Sequence, residues 1–128
     1  NMILRNNEVI GILDWELSTL GHPIADFSYH CLSWRTQEAF WDEAKLKELG
    51  IPSEKEYMEM YCKYSGKDLS KNWEFYMAFN MFKIAGILQG ILGRVRDGTA
   101  ASKHAEERGN MVFPLSQAAW KTIEDNFL

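Results

Sequence analysis

The stretch from Trp73 to Arg96 constrains this chain most. It is apolar almost all the way round at helical period, with Asn80, Lys83 and Gln89 as interruptions near its middle. A helix of that kind needs other elements around it, so it is expected to be the central buried helix of the fold. Lys83 at a bilayer centre would cost about 3 kcal/mol. The segment therefore reads as a buried helix and not as a membrane span, and Asp97-Gly98-Thr99 stops it.

The flanking sequence supplies further helices. Pro23 suits a first helical turn, and Ile24, Phe27, Cys31 and Trp34 follow at helical spacing. A second helix is expected from about Thr36 to Leu49, ended by Gly50 with Pro52 just beyond. Ser53-Glu54-Lys55-Glu56 has the form of a capping box. It should start a helix whose contact face is Tyr57, Met60, Tyr61 and Tyr64 and which stops at Gly66. A last helix is expected from near Asn110 through Leu115, Ala119, Trp120 and Ile123, with Pro114 in or near its first turn.

The N-terminal end differs. Met2-Ile3-Leu4 and Val9 to Leu13 are β-rich runs around a polar turn, Arg5-Asn6-Asn7-Glu8, in which Asn tolerates positive φ. A lone hairpin is marginal in water, so it should pack on helices or extend a larger sheet. The second strand runs into Asp14-Trp15-Glu16, and Gly21-His22-Pro23 then leads into a helix carrying Asp26. A strand that ends in a carboxylate is a rigid way to hold a divalent cation beside a phosphate. Mg²⁺ prefers oxygen ligands and takes only one or two carboxylates from protein, so an Asn carbonyl beside the Asp suits it. Asn1 and Asp14 fall at the same open end of the hairpin. Trp15 reads as a core anchor, and His22 and His30, without partners at metal-ligand spacing, read as loop or packing residues.

The 128 residues amount to one domain, with 46% hydrophobic and 25% charged residues, which excludes a disordered chain. The aromatic share, 13% with five Trp, suggests a core built largely from rings. A net charge of -4 argues against a nucleic-acid surface. Cys31 and Cys62 form no CxxC or Cys/His cluster, and both read as small buried thiols in helices, which fits a reduced, cytoplasmic setting. The chain does not begin with Met, which suggests loss of an upstream segment by processing or truncation.

Asn1 to Leu4, Val9 to Glu16 and Gly21 to Asp26 together resemble the aminoglycoside-phosphotransferase and choline-kinase-like superfamily. The family pattern is a loop H-G-D-x-x-x-x-N, a β-hairpin, an I-D-W-E segment and then G-x-P-x-x-D. Leu13 to Gly21 and Phe82 to Gly90 are more similar to the phosphotransferase-like domain that precedes acyl-CoA dehydrogenase domains. The resemblance implies a mainly α fold with an N-terminal β-hairpin, the C-terminal helical part of a protein-kinase-like (α+β) architecture. Residues 1–16 would form the hairpin and metal segment, and 17–128 the helical acceptor side. It implies Asp14 as the metal-binding Asp and Asn1 as a second ligand. Asp26 would brace the catalytic loop, and Glu16 would stand just outside the metal's own ligands or hold a second ion. Arg94 and Gln89 would lie near an anionic group of the acceptor, although cations at a helix C-terminus also suit the dipole.

The implied reaction moves the γ-phosphoryl of ATP, with Mg²⁺, to the hydroxyl of a small molecule, and the subgroup suggests a hydroxyacyl compound. The H-G-D acid, the nucleotide lobe and its phosphate-positioning Lys are not among these 128 residues. Alone they are therefore expected to be inactive. The rival expectation is a non-catalytic helical binding module, whose exposed apolar surface is covered by a partner or a second copy. A metal-dependent hydrolase using Asp14, Glu16 and Asp26 ranks last, because no His ligand supports it.

Overall fold

The computed structural model describes residues 1–16, 18–36, 43–69 and 71–128. Two antiparallel strands, β1 (Met2–Arg5) and β2 (Glu8–Ile12), form a hairpin, and the rest of the described chain is helical or connecting. This matches the expected class, mainly α with an N-terminal hairpin. Asn6 and Asn7 close the turn at φ 51° and 64°, the left-handed region that Asn tolerates. Leu4 pairs with Val9 and Ile3 with Gly11, so Ile10 is one extra residue that bulges β2.

His22 caps α1 (Pro23–Cys31), with Pro23 in the first turn, and a single 3-10 turn, Leu32–Trp34, continues it. Helix α2 is Glu43–Glu48, and Gly50 follows at φ 69°. The helix expected over 36–49 is thus seen in its second half, while its stretch 37–42 lies outside the described residues. Helix α3 (Glu54–Ser65) carries both halves of the Ser53/Glu56 capping box and ends at Gly66. Helix α4 spans Trp73–Arg96, as its period required. Beyond it, α5 (Ala105–Gly109) is a short helix that no sequence signal announced, and α6 is Val112–Phe127.

The core forms where α1, α3, α4 and α6 meet, around Ile24, Phe27, Cys31, Leu69, Trp73, Met77, Met81 and Ala119. Its buried centre is mainly aliphatic and sulfur-bearing, with Phe27 and Trp73 as its rings and Trp34, Tyr57, Tyr61 and Tyr76 packed around it, so rings flank this core more than they fill it, contrary to what the composition suggested. Phe27 stacks on Tyr61 at 4.0 Å between centroids and lies 5.2 Å from Tyr57 and 5.8 Å from Trp73. The Trp34 indole donates to the Pro52 carbonyl at 3.1 Å and fixes the entry to α3.

An ion-pair network joins three element ends. The Arg35 guanidinium grips Glu54 at 2.7 and 2.8 Å and also pairs with Glu74, while the Trp73 indole donates to Glu54 at 2.9 Å. Burial would lower the Arg35 pKa, but hydrogen bonds to Glu74 and Glu54 outweigh it and raise it, so the group stays charged. Burial, reinforced by Glu54 and only partly offset by Arg35, pushes the Cys31 thiol up to about 12.

Three expectations need correction. Helix α4 is apolar all round but not buried all round: Trp73, Met77, Asn80, Met81 and Ala85 face inward, while Phe75, Phe79, Phe82 and Ile87 are about half exposed. Its helical partners α1, α5 and α6 cover only part of its circumference. On α3, Tyr57 and Tyr61 make the contact face, but Tyr64 and Met60 lie outside it, Tyr64 at 79% exposure. On α6, Leu115 and Ala119 are buried and Trp120 is exposed, its indole donating to Glu124 one turn on.

Candidate active site

The end of β2 builds the site. The Leu13 amide donates to the Asn1 carbonyl at 2.9 Å and prolongs the ladder to the last residue before Asp14. Asp14 then sits at φ 70°, a left-handed conformation that only short polar side chains other than Gly adopt readily. That reversal turns the chain off the strand direction and leaves the carboxylate at the hairpin's open end. The Asn1 side-chain amide donates to Asp14 Oδ2 at 2.6 Å, so the two expected ligands meet.

The residues after Asp14 hold the turn. The Trp15 indole donates back to the Ile12 carbonyl at 2.7 Å, and the Ser18 hydroxyl and amide both donate to the Trp15 carbonyl. Trp15 is 63% exposed, so it is not the core anchor it was expected to be. Its hydrogen bond to the strand end clamps the loop.

Asp14 opens onto a cleft of about 870 Å³ between the hairpin end, α1 and α4. Asp26 and Tyr29 of α1 line it, with His22 at its cap, and Asn80 and Lys83 come from α4. One wall is fixed by the fully buried Asn80, which donates to the Ala25 carbonyl and to the Ser28 hydroxyl, both at 2.8 Å. His22 accepts from the Ile24 amide at 3.3 Å and stacks on Tyr76 at 5.0 Å. His30 packs against Trp34 and Tyr57. Both histidines thus cap or pack.

The structure therefore pairs Asn1 with Asp14 and places Asp14 and Asp26 in the lining of one cleft. Glu16 is exposed and does not line the cleft. Neither Gln89 nor Arg94 lines it. Gln89 is exposed, and Arg94 borders a separate hollow of about 420 Å³ with Leu88 and Ile91. Lys83 is the cleft residue that sequence reasoning passed over. Its only signal was a charge interrupting an apolar helix, and only the packing of α4 on α1 reveals where it points.

The donor set at the hairpin end suits a hard cation. Turning the Asn1 amide about its last bond would place its carbonyl oxygen beside the Asp14 carboxylate, giving two oxygen ligands. Among the described residues no group of three or more His, Cys, Asp or Glu side chains could cage a metal. The two oxygens at the hairpin end match the one or two protein ligands that Mg²⁺ takes, the rest of its shell coming from phosphate or water.

A family model described as the phosphotransferase enzyme family matches residues 1–61, the segment that carries Asn1, Asp14 and Asp26. Residues 1–61 belong to the phosphotransferase enzyme family. A crystal structure from Ralstonia eutropha, described as an aminoglycoside phosphotransferase, superposes with a TM-score of 0.84 at 44% identity. It covers 98% of this chain and 40% of that one, so the family's kinase-like fold extends over the helices beyond residue 61. Acyl-CoA dehydrogenase family member 10 of Mus musculus is 42% identical over 118 residues, 88% of this chain and 11% of the relative. Acyl-CoA dehydrogenase family member 11 of Homo sapiens is 35% identical over 133 residues, 99% of this chain and 17% of the relative. The chain thus spans less than a fifth of the length of these relatives, and its phosphotransferase-family likeness and its acyl-CoA dehydrogenase association go together.

Proposed function

We propose that this chain is the acceptor-side, C-terminal part of an ATP-dependent small-molecule phosphotransferase of the cytoplasm. Asn1 and Asp14 hold Mg²⁺, Asp26 braces the catalytic loop, and Glu16 assists from outside the metal's own ligands. The bound ion would neutralise charge on the nucleotide phosphates as the γ-phosphoryl moves to a hydroxyl. The observation that carries this reading is the contact between Asn1 and Asp14 at the mouth of a cleft that also contains Asp26. The base that accepts the hydroxyl proton and the groups that hold the nucleotide come from residues outside these 128. The association with acyl-CoA dehydrogenase family members favours a hydroxyacyl acceptor over an aminoglycoside.

The test is ATP-dependent phosphorylation of a panel of hydroxylated acceptors, run on the full-length protein and on the 128 residues alone. Turnover by the first and none by the second is the expected result. No turnover on any acceptor by the full-length protein would sink the catalytic reading.

The exposed apolar side chains of the hairpin, Met2, Leu4 and Ile10 among them, favour a second reading as a helical interaction module. On that reading the hairpin is covered by a partner or a second copy. A mass in solution of twice the chain's own, lost on Leu4→Ser, would support it.

A further inference from the structure

Lys83 is a charge set into an apolar stretch of α4. Between Glu74 and Arg94 it is the one charged residue of α4, in a stretch that is otherwise apolar except for Asn80 and Gln89 and the Tyr76 hydroxyl. It reaches the cleft that contains Asp14 and Asp26, three residues after the buried Asn80 that locks α4 to α1. Its ammonium lies 5.0 Å from the centroid of the Tyr29 ring, a cation–π distance that holds the side chain over the cleft wall. Among the described residues no carboxylate comes within ion-pairing distance of it. A positioned ammonium with no carboxylate at ion-pairing distance among the described residues, in the cleft proposed above as a phosphotransferase site, is suited to receive an anion.

We infer that Lys83 determines acceptor specificity, by binding a carboxylate or phosphate group of the acceptor while the acceptor's hydroxyl lies toward Asp14. This deepens the reading of the cleft as a phosphotransferase site and rests on it. The same charge would repel polycationic acceptors such as aminoglycosides, so Lys83 selects against one class as well as for another. Arg94, the cation that the family resemblance suggested for this task, opens onto a different hollow.

The experiment compares matched acceptors with the full-length protein: 3-hydroxybutyrate against neutral 1,3-butanediol, and glycerol 3-phosphate against glycerol. The first pair reads a carboxylate and the second a phosphate. Lys83→Met should lower the ratio of kcat/KM for the anionic acceptor to that for its neutral partner at least tenfold, mainly through KM. Lys83→Arg, which keeps the charge, should retain most of the ratio. A ratio unchanged within twofold in Lys83→Met for both pairs would overturn the inference. A binding readout runs beside it: after reductive ¹³C-methylation, which keeps the charge, the Lys83 resonance should shift on adding one anionic probe and not its neutral partner. No shift with either anion would also overturn it. The underlying phosphotransferase reading fails differently, through turnover that survives loss of the Asp14 carboxylate.

Discussion

The hairpin and the helical body are built on opposite terms. In the helical body, side chains from four helices converge on Phe27, Met77 and Cys31, and Met77 and Cys31 have almost no exposure. In the hairpin, Met2, Leu4, Val9, Ile10 and Ile12 are each about half exposed or more, and β1 and β2 contact chiefly each other. The hairpin has backbone order without burial. Yet Asn1 and Asp14, the proposed metal ligands, are at the hairpin's open end, while the body supplies Asp26, Asn80 and Lys83 to the lining of the cleft. On the proposed reading, stability and chemistry are divided between two regions that meet at one cleft, and each region predicts a different response to mutation.

The division breaks if core and hairpin substitutions have similar effects. Met77→Ala empties a fully buried position in α4 and should destabilise the fold by about 3 kcal/mol, read from the denaturant midpoint. Arg35→Met removes the cation that joins Glu54 to Glu74 and leaves two partly buried carboxylates together. A loss of about 2 kcal/mol is expected, between the values for surface and buried pairs. Effects below 0.5 kcal/mol at both positions would mean that the core is not what holds the body together.

A subtler test uses pH. The folded Cys31 thiol titrates near 12 against an ordinary 9.0, so above pH 9 the unfolded chain loses a proton that the folded chain keeps. Stability from this group is complete below pH 9 and falls as pH rises toward 12, by about 1 kcal/mol for the first unit or so. Comparing melts at pH 8 and pH 10 in the native protein and in Cys31→Ala should show a smaller alkaline loss in the variant. Ile10→Ala, at the hairpin bulge, should change stability by no more than about 0.5 kcal/mol. A loss of about 2 kcal/mol there would show that the hairpin is covered in solution.

What the sequence disclosed, and what it hid, follows the same line. Signals that act within a few residues were legible: the Ser53/Glu56 box, Gly66 and Gly50 at helix ends, Pro23 at a helix start, the Asn6-Asn7 turn and the limits of α4. The pairing of Asn1 with Asp14 was legible because antiparallel pairing converts sequence separation into proximity. Properties set by tertiary packing were not. Tyr64 and Trp120 share the spacing of their buried neighbours but point past the edge of the core. Trp15 was read as a core residue because large rings usually are buried, while its indole instead closes a loop on Ile12. Helix α5 has neither a side-chain cap nor a full amphipathic turn to announce it, and it is short enough to be set by its contact with α4. There Gly109 lies so close to the Leu92 side chain that an added Cβ would meet it at 2.3 Å.

The measurement closest to the centre of this account is Asp14→Asn in the full-length protein, with turnover and melting recorded on the same sample. The exposed Asp14 carries none of the core, so the melting temperature should stay within about 2 °C of the native value. Loss of the metal-holding carboxylate should lower ATP-dependent turnover by roughly a thousandfold, the scale of losing one electrostatic element of a transition state. Full turnover in this variant would contradict the assignment of the hairpin end as the active site. A collapse of the melting temperature would contradict the division between a region that stabilises and a region that reacts.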